Sequence, residues 1–185
     1  ALRLRRLPVE VAAPEPRWDR AIWALAALCA GAVLISHRPD TDDALYLGIA
    51  AGVADFPGAP LLKGDTLYGI PGLPILLSTY RFHSIEALYG AASYLSGLSV
   101  LAVCHLVLAP LWGFLAPLAW ARLLRTLSPE RWFWGVLGTV GYLLLDGSAH
   151  GGWGNLAFVR IFQGKAVFLT VLAPLVTAYG LRFGQ

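Results

Sequence analysis

The 185-residue chain is 57% hydrophobic, only 14% charged, and has a net charge of +3. A soluble domain carries about 25% charged residues. Here the few charges cluster between long apolar runs rather than on one basic face, which excludes an ordinary aqueous domain and nucleic-acid binding. Such blocks bury too little when folded alone in water, so a bilayer is the solvent they call for.

In chain order, residues 1–20 form a polar, cytoplasmic segment with five arginines (Arg3, Arg5, Arg6, Arg17 and Arg20), broken by Pro8, Pro14 and Pro16. The first membrane span is expected over 21–36, entered beside Trp18 and Trp23 at headgroup level. No small-residue cleavage site ends this run, so it reads as a retained helix and not a signal peptide. An outer loop, 37–97, follows. Within it Asp40–Ala54 reads as a short helix, and Asp40 or Thr41 is expected to cap it. Ser84–Leu95 reads as an amphipathic helix of the kind that lies on a membrane surface, with Glu86 in its first turn.

The second span is expected over 98–121 with kinks at Pro110 and Pro117, and a short inner loop covers 122–131. The third span, 132–145, carries Gly135, Gly138 and Gly141, which would let another helix approach closely. A glycine-rich outer loop, 146–165, leads to the fourth span, 166–180, and a cytoplasmic end, 181–185. The fold class is therefore all-α: a polytopic transmembrane protein of about four spans, with surface-lying helices in the first outer loop. The two cysteines, Cys29 and Cys104, both sit inside apolar runs and suggest neither a disulfide framework nor a zinc site. The chain has no methionine even at position 1, and it stops directly after an apolar run, which predicts a processed chain or a portion of a longer one.

Orientation follows from the Lys and Arg residues on each side. With the N-terminus in the cytoplasm, nine lie inside (Arg3, Arg5, Arg6, Arg17, Arg20, Arg122, Arg125, Arg131 and Arg182) and five outside (Arg38, Lys63, Arg81, Arg160 and Lys165). Seven of the eleven acids then fall on the outer side.

Chemistry concentrates on that outer side. Asp40, Asp42 and Asp43 place three carboxylates within four residues, a set that can hold a divalent cation or supply a general base. The plainer reading gives them to the N-terminus of the next helix, where carboxylates favour the helix dipole. Arg160 and Lys165, with Gln163 between them, can grip a phosphate. The same pair can equally meet lipid headgroups. His150, in the glycine-rich loop, is a further candidate substrate contact. His105 lies inside the second span and could ligate the metal of haem or bacteriochlorophyll, although a polar helix–helix contact is the favoured reading.

Three segments carry a resemblance: Asp42-Asp-Ala-Leu-Tyr46, the Ser84–Pro110 stretch ending Cys104-His-Leu-Val-Leu-Ala-Pro110, and Arg160-Ile-Phe-Gln-Gly-Lys-Ala166. With the order of parts around them, they resemble a family of bacterial multi-pass proteins related to the GT-C superfamily of polyprenyl-phosphate-dependent glycosyltransferases. The resemblance spans roughly residues 37–175 and is that of an N-terminal portion, since superfamily members have about twice as many spans. It implies that Asp42 or Asp43 is the base or metal-holding carboxylate, that Arg160 and Lys165 stabilise a lipid-phosphate leaving group, and that the partner is a polyprenyl-phosphate sugar in a bacterial cytoplasmic (inner) membrane. The competing expectation is a non-catalytic accessory subunit that packs against other membrane subunits, photosynthetic or respiratory. In both readings membrane lipids surround the spans.

Overall fold

The computed structural model describes residues 16–36, 38, 40, 42–58, 70, 72–73, 84–149 and 151–183. Among these residues every regular element is helical. The helices are α1 (Pro16–Ile35), α2 (Asp43–Asp55), α3 (Ser84–Ser96), α4 (Ala102–Leu127), α5 (Trp132–Leu145) and α6 (Gly164–Phe183). Short 3-10 turns at Asp146–Ser148, Trp153–Leu156 and Phe158–Arg160 join α5 to α6.

α1, α4 and α6 are each long and apolar enough to cross a membrane. α5 has the bounds expected for the third span, but its 14 residues reach only about 21 Å at ~1.5 Å per residue, short of ~30 Å of hydrocarbon. Its ends show how it is accommodated. At one end Phe133 stacks on Trp18 at 4.5 Å between ring centroids, and Arg125 pairs with Asp19, so the start of α5, the start of α1 and the end of α4 share one level. At the other end the guanidinium of Arg38, just past α1, reaches the carbonyls of Gly147 and Ser148 in the 3-10 turn that continues α5. α5 and its 3-10 extension thus connect the same two levels as α1. Arg122 lies over the Tyr179 ring at 5.3 Å, which brings the end of α6 back to the Asp19 level. The four helices therefore run up, down, up and down.

Arg122 and Arg125 are not loop residues as expected from the sequence, since α4 continues to Leu127 and only four residues separate it from α5. Arg122 and Arg125 are held over the Tyr179 and Trp132 rings, the latter at 4.0 Å.

Both α4 and α6 contain a π-helical stretch, Ala102–Leu108 and Phe168–Leu172, and each stretch leads into the same tripeptide, Leu108-Ala-Pro110 and Leu172-Ala-Pro174. Proline lacks an N–H and its ring presses on the carbonyl four residues back. A wider turn just ahead of it relieves that pressure without breaking the helix. Pro117, by contrast, sits within regular α-helix.

The close approaches are made by other glycines than those singled out in α5. Gly138 and Gly141 have nothing within 4 Å of an added Cβ, and Gly135 would meet only the flexible Leu124 side chain at 3.1 Å. Gly113 instead lets α4 lie against α1, where a Cβ would sit 2.7 Å from Val33 and 3.2 Å from the Cys29 carbonyl oxygen. Gly90 does the same for α3 on α2, with the Ala50 carbonyl oxygen at 2.5 Å. Which glycines pack depends on which face each helix turns inward, and α5 turns Val136, Val140 and Leu143 inward. Gly113→Leu is accordingly expected to lower stability by about 1–3 kcal/mol through overpacking. Gly138→Leu is expected to leave the midpoint of thermal unfolding in detergent nearly unchanged.

Candidate functional site

The site lies where the chain leaving α1 meets the chain entering α6. Asp40 pairs with the Arg160 guanidinium, and the Gln163 side-chain amide donates to Asp43 Oδ1 at 2.9 Å; each contact joins residues 120 positions apart. The second oxygen of Asp43 accepts the backbone N–H of Asp40 at 2.8 Å. The acidic loop and the Arg160–Ala166 segment expected from the sequence to form one site thus do converge.

Both members of the second segment are deeply buried, Arg160 at 4% exposure and Gln163 at 2%. Two of their atoms, Arg160 Nε and Gln163 Oε1, have no hydrogen-bond partner, although both side chains are otherwise committed to the acidic loop. Unpaired polar atoms this deep are costly, so the pairs that Arg160 and Gln163 do make with Asp40 and Asp43 are what hold these side chains inside.

Asp40 does not cap α2 as expected. The N-cap position is Asp42, which makes no side-chain capping bond, and Asp43 occupies the first turn; Thr41 lies outside the described residues. Asp40 is drawn away because Arg160 offers a buried charge partner, a stronger contact than a neutral backbone N–H. Asp42 stays exposed, and so does Lys165 on the first turn of α6. The four residues assigned to the chemistry therefore divide into an inner, closed set (Asp43 and Arg160, with Gln163) and an outer, open set (Asp42 and Lys165). His150 lies outside the described residues, as do His37 and His83.

Other residues of this cluster carried no functional expectation. Arg38 donates through Nη1 to the carbonyls of Ser148 at 3.0 Å and Gly147 at 3.4 Å and to Asn155 Oδ1 at 3.3 Å, while its backbone N–H bonds the Val159 carbonyl at 3.0 Å. It caps the C-terminal end of α5, where exposed carbonyls favour a cation. Asp146 Oδ2 accepts the Gly154 N–H at 2.9 Å, and an added Cβ on Gly152 would lie 2.4 Å from that oxygen. Gly152 is needed because the loop folds tightly around this carboxylate, and Gly154 because it lies against the backbone of Leu143 and Gly147. Tyr89 on α3 donates to the Phe162 carbonyl at 2.7 Å, and burial pushes its hydroxyl pKa well above the ordinary range, keeping it a donor. Glu86, expected on a membrane-surface helix, is instead 5% exposed on the inward face of α3. The signals for these residues were faint: a single arginine before an acidic run, an asparagine closing a glycine-rich loop, a glutamate and a tyrosine three residues apart.

Among the described residues no three His, Cys, Asp or Glu side chains gather so as to hold a metal ion, Asp40, Asp42 and Asp43 included. Beside His105 lies a cavity of about 240 Å³ lined by Val33, Leu34, Phe158 and Phe162. That is below the ~300–1,000 Å³ of typical ligand pockets and far from room for a macrocycle. The His105 ring lies 4.8 Å from that of Phe162, which sits in the turn before α6 and not on a helix.

A second, apolar crevice of about 340 Å³ runs between α4, α5 and α6. Thr139, Thr170 and Thr177 line it, but their hydroxyls donate to the carbonyls of Gly135, Ala166 and Ala173 at 2.9, 2.6 and 2.8 Å. They therefore offer methyl groups to the space between the helices.

Arg160→Met leaves Asp40 without its cation in a half-closed setting, and breaking such a pair costs about 3–5 kcal/mol. The Arg160→Met/Asp40→Asn double variant is expected to recover part of that loss, and Lys165→Ala to be neutral, when the three are compared by thermal unfolding in one detergent. No family model matches the sequence, and neither a curated protein nor a solved structure is significantly similar to it.

Proposed function

We propose that the chain is a multi-pass protein of a bacterial cytoplasmic membrane, N-terminus in the cytoplasm, and that its Arg160 end is the reaction side of a GT-C-like glycosyltransferase. The observation that carries this reading is the convergence of the acidic loop with the Arg160–Ala166 segment, with one carboxylate left open. The inner pairs, Asp40 with Arg160 and Asp43 with Gln163, act as a frame. Asp42, one residue away and exposed, is the base. It takes the proton of an acceptor hydroxyl as that oxygen bonds the anomeric carbon of a lipid-linked sugar. The bond from that carbon to the phosphate oxygen breaks, and the phosphate leaves with its electron pair. Lys165, exposed two residues beyond Gln163, offsets the leaving charge. Arg160 is a positioning residue in this scheme, since Asp40 already holds it. The apolar crevice between α4, α5 and α6 suits the isoprenoid tail of such a donor.

The closed inner pairs also favour a second reading, in which the cluster only ties helices together and the chain is an accessory subunit of a larger membrane assembly. Reconstitution in vesicles with a panel of polyprenyl-phosphate sugars separates the two, with release of polyprenyl phosphate as readout. Turnover is expected, and Asp42→Asn should reduce it by about 10²–10⁴-fold with unchanged thermal unfolding. No turnover on any donor, or full turnover in Asp42→Asn, would overturn the assignment. Stoichiometric co-purification with other membrane subunits, together with either result, would favour the accessory role.

A further inference from the structure

α3 is inverted relative to a helix at a water-facing surface. Its most buried positions include Glu86, Tyr89 and Ser93, at 5%, 3% and 6% exposure, while Leu88, Tyr94 and Leu95 are 45%, 58% and 82% exposed. The buried polar groups are accounted for inside the protein: Tyr89 donates to the Phe162 carbonyl and Ser93 donates to the Leu98 carbonyl at 2.6 Å. Glu86 likewise has a partner. The polar face of α3 is thus the one that packs on the bundle, and its apolar face is left uncovered by the described residues.

An amphipathic helix in water does the reverse, turning its apolar stripe inward. Leaving a contiguous stripe of leucines wet would forgo about 1.5–3 kcal/mol for each side chain that could be buried. The stripe also does not end with α3. Beyond the turn at Gly97 it continues through Leu98 and Leu101, 48% and 58% exposed, into the outward face of α4, a helix long and apolar enough to span the membrane. Exposed leucines therefore continue from α3, past the short turn at 97–99, onto a helix long and apolar enough to span the membrane.

We infer that α3 is embedded in the acyl-chain layer of the leaflet at the Arg160 end, with lipid chains against Leu88 and Leu95 and protein against Glu86 and Tyr89. It does not rest on the headgroups or project into water as part of a soluble loop. Phe162 and Gly164, on either side of Gln163, then lie behind a single helix from the lipid. This inference does not depend on the glycosyl-transfer chemistry.

The test is spin-label accessibility in vesicles of phosphatidylethanolamine and phosphatidylglycerol. Nitroxides are placed at Leu95→Cys and Leu88→Cys, with Leu106→Cys on α4 as the lipid reference and Gly58→Cys as the aqueous one. Cys29 and Cys104 are 2% and 1% exposed, so labelling is confined to the introduced thiols. Both α3 labels should be reached by oxygen and shielded from a water-soluble nickel chelate, as at Leu106, with the opposite pattern at Gly58. Nickel access at Leu95 equal to that at Gly58 would place α3 in water and overturn the inference. Low access to both reagents would overturn it too, showing that a second copy or another protein covers the face. Because Leu88 and Leu95 lie on the exposed face, labelling either one removes little packing, and agreement between the two guards against a local distortion.

Discussion

The contact between Asp40 and Arg160 settles how the two halves of the chain meet. Neither partner could stay where it is alone. An arginine at 4% exposure without a counter-ion would carry a desolvation penalty of several kcal/mol, and the loop holding Asp40 has little apolar surface of its own with which to dock. Once they pair, the consequences spread. Asp43 comes within reach of Gln163, α2 starts at a fixed place, α3 packs on α2 through Gly90, and Tyr89 finds the Phe162 carbonyl. Arg38 performs the matching task on the neighbouring turn, closing the end of α5. The same end of the bundle therefore holds most of the buried polarity, while the opposite end is fastened by aromatic stacking and by Asp19 with Arg125.

That difference between ends bears on chemistry. A membrane protein places ionisable groups in its interior only at a cost, and does so where they hold structure or act on something. Here the buried members hold structure, and in the proposed scheme the exposed members act. Asp43 was an equal candidate for the base from its sequence position, but its two oxygens are already taken by the Gln163 amide and the Asp40 backbone N–H. Asp42, at a helix start without a capping bond, keeps its lone pairs available.

Much of the architecture was legible in the residue pattern. The apolar runs marked α1, α4, α5 and α6 to within a few residues at most ends, and Ser84–Leu95 anticipated α3 almost to the residue. Hydrophobic run length reports burial in lipid directly, so these elements need no tertiary information. What could not be read is which face of each helix turns inward. Gly138 and Gly141 have the spacing of packing glycines, yet they point outward, because Val136, Val140 and Leu143 give α5 a bulkier apolar face to bury. Glu86 was read as a first-turn residue of a surface-lying helix; it does sit in the first turn, but on the buried face of α3 that also carries Tyr89, which bonds the Phe162 carbonyl. The meeting of Asp40 and Asp43 with Arg160 and Gln163 was legible only as complementary charge; which acid takes which partner depends on the exact start of α2. The π-helical stretches had a visible cue in the repeated Leu-Ala-Pro, a tripeptide whose proline demands local relief.

The long sequence separation of the inner pairs also sets a timetable. At ~5–20 residues per second of synthesis, the 120 residues between Asp40 and Arg160 take on the order of ten seconds to make. Through that interval α1, α4 and α5 can enter the bilayer while the acidic loop still lacks its cation. The loop and α2 must then wait in water, because an uncompensated carboxylate pair cannot follow the other helices inward. α6 is therefore more than one further helix of the bundle: its arrival admits the loop, and a nascent chain halted before Arg160 would present an acidic, protease-accessible arm.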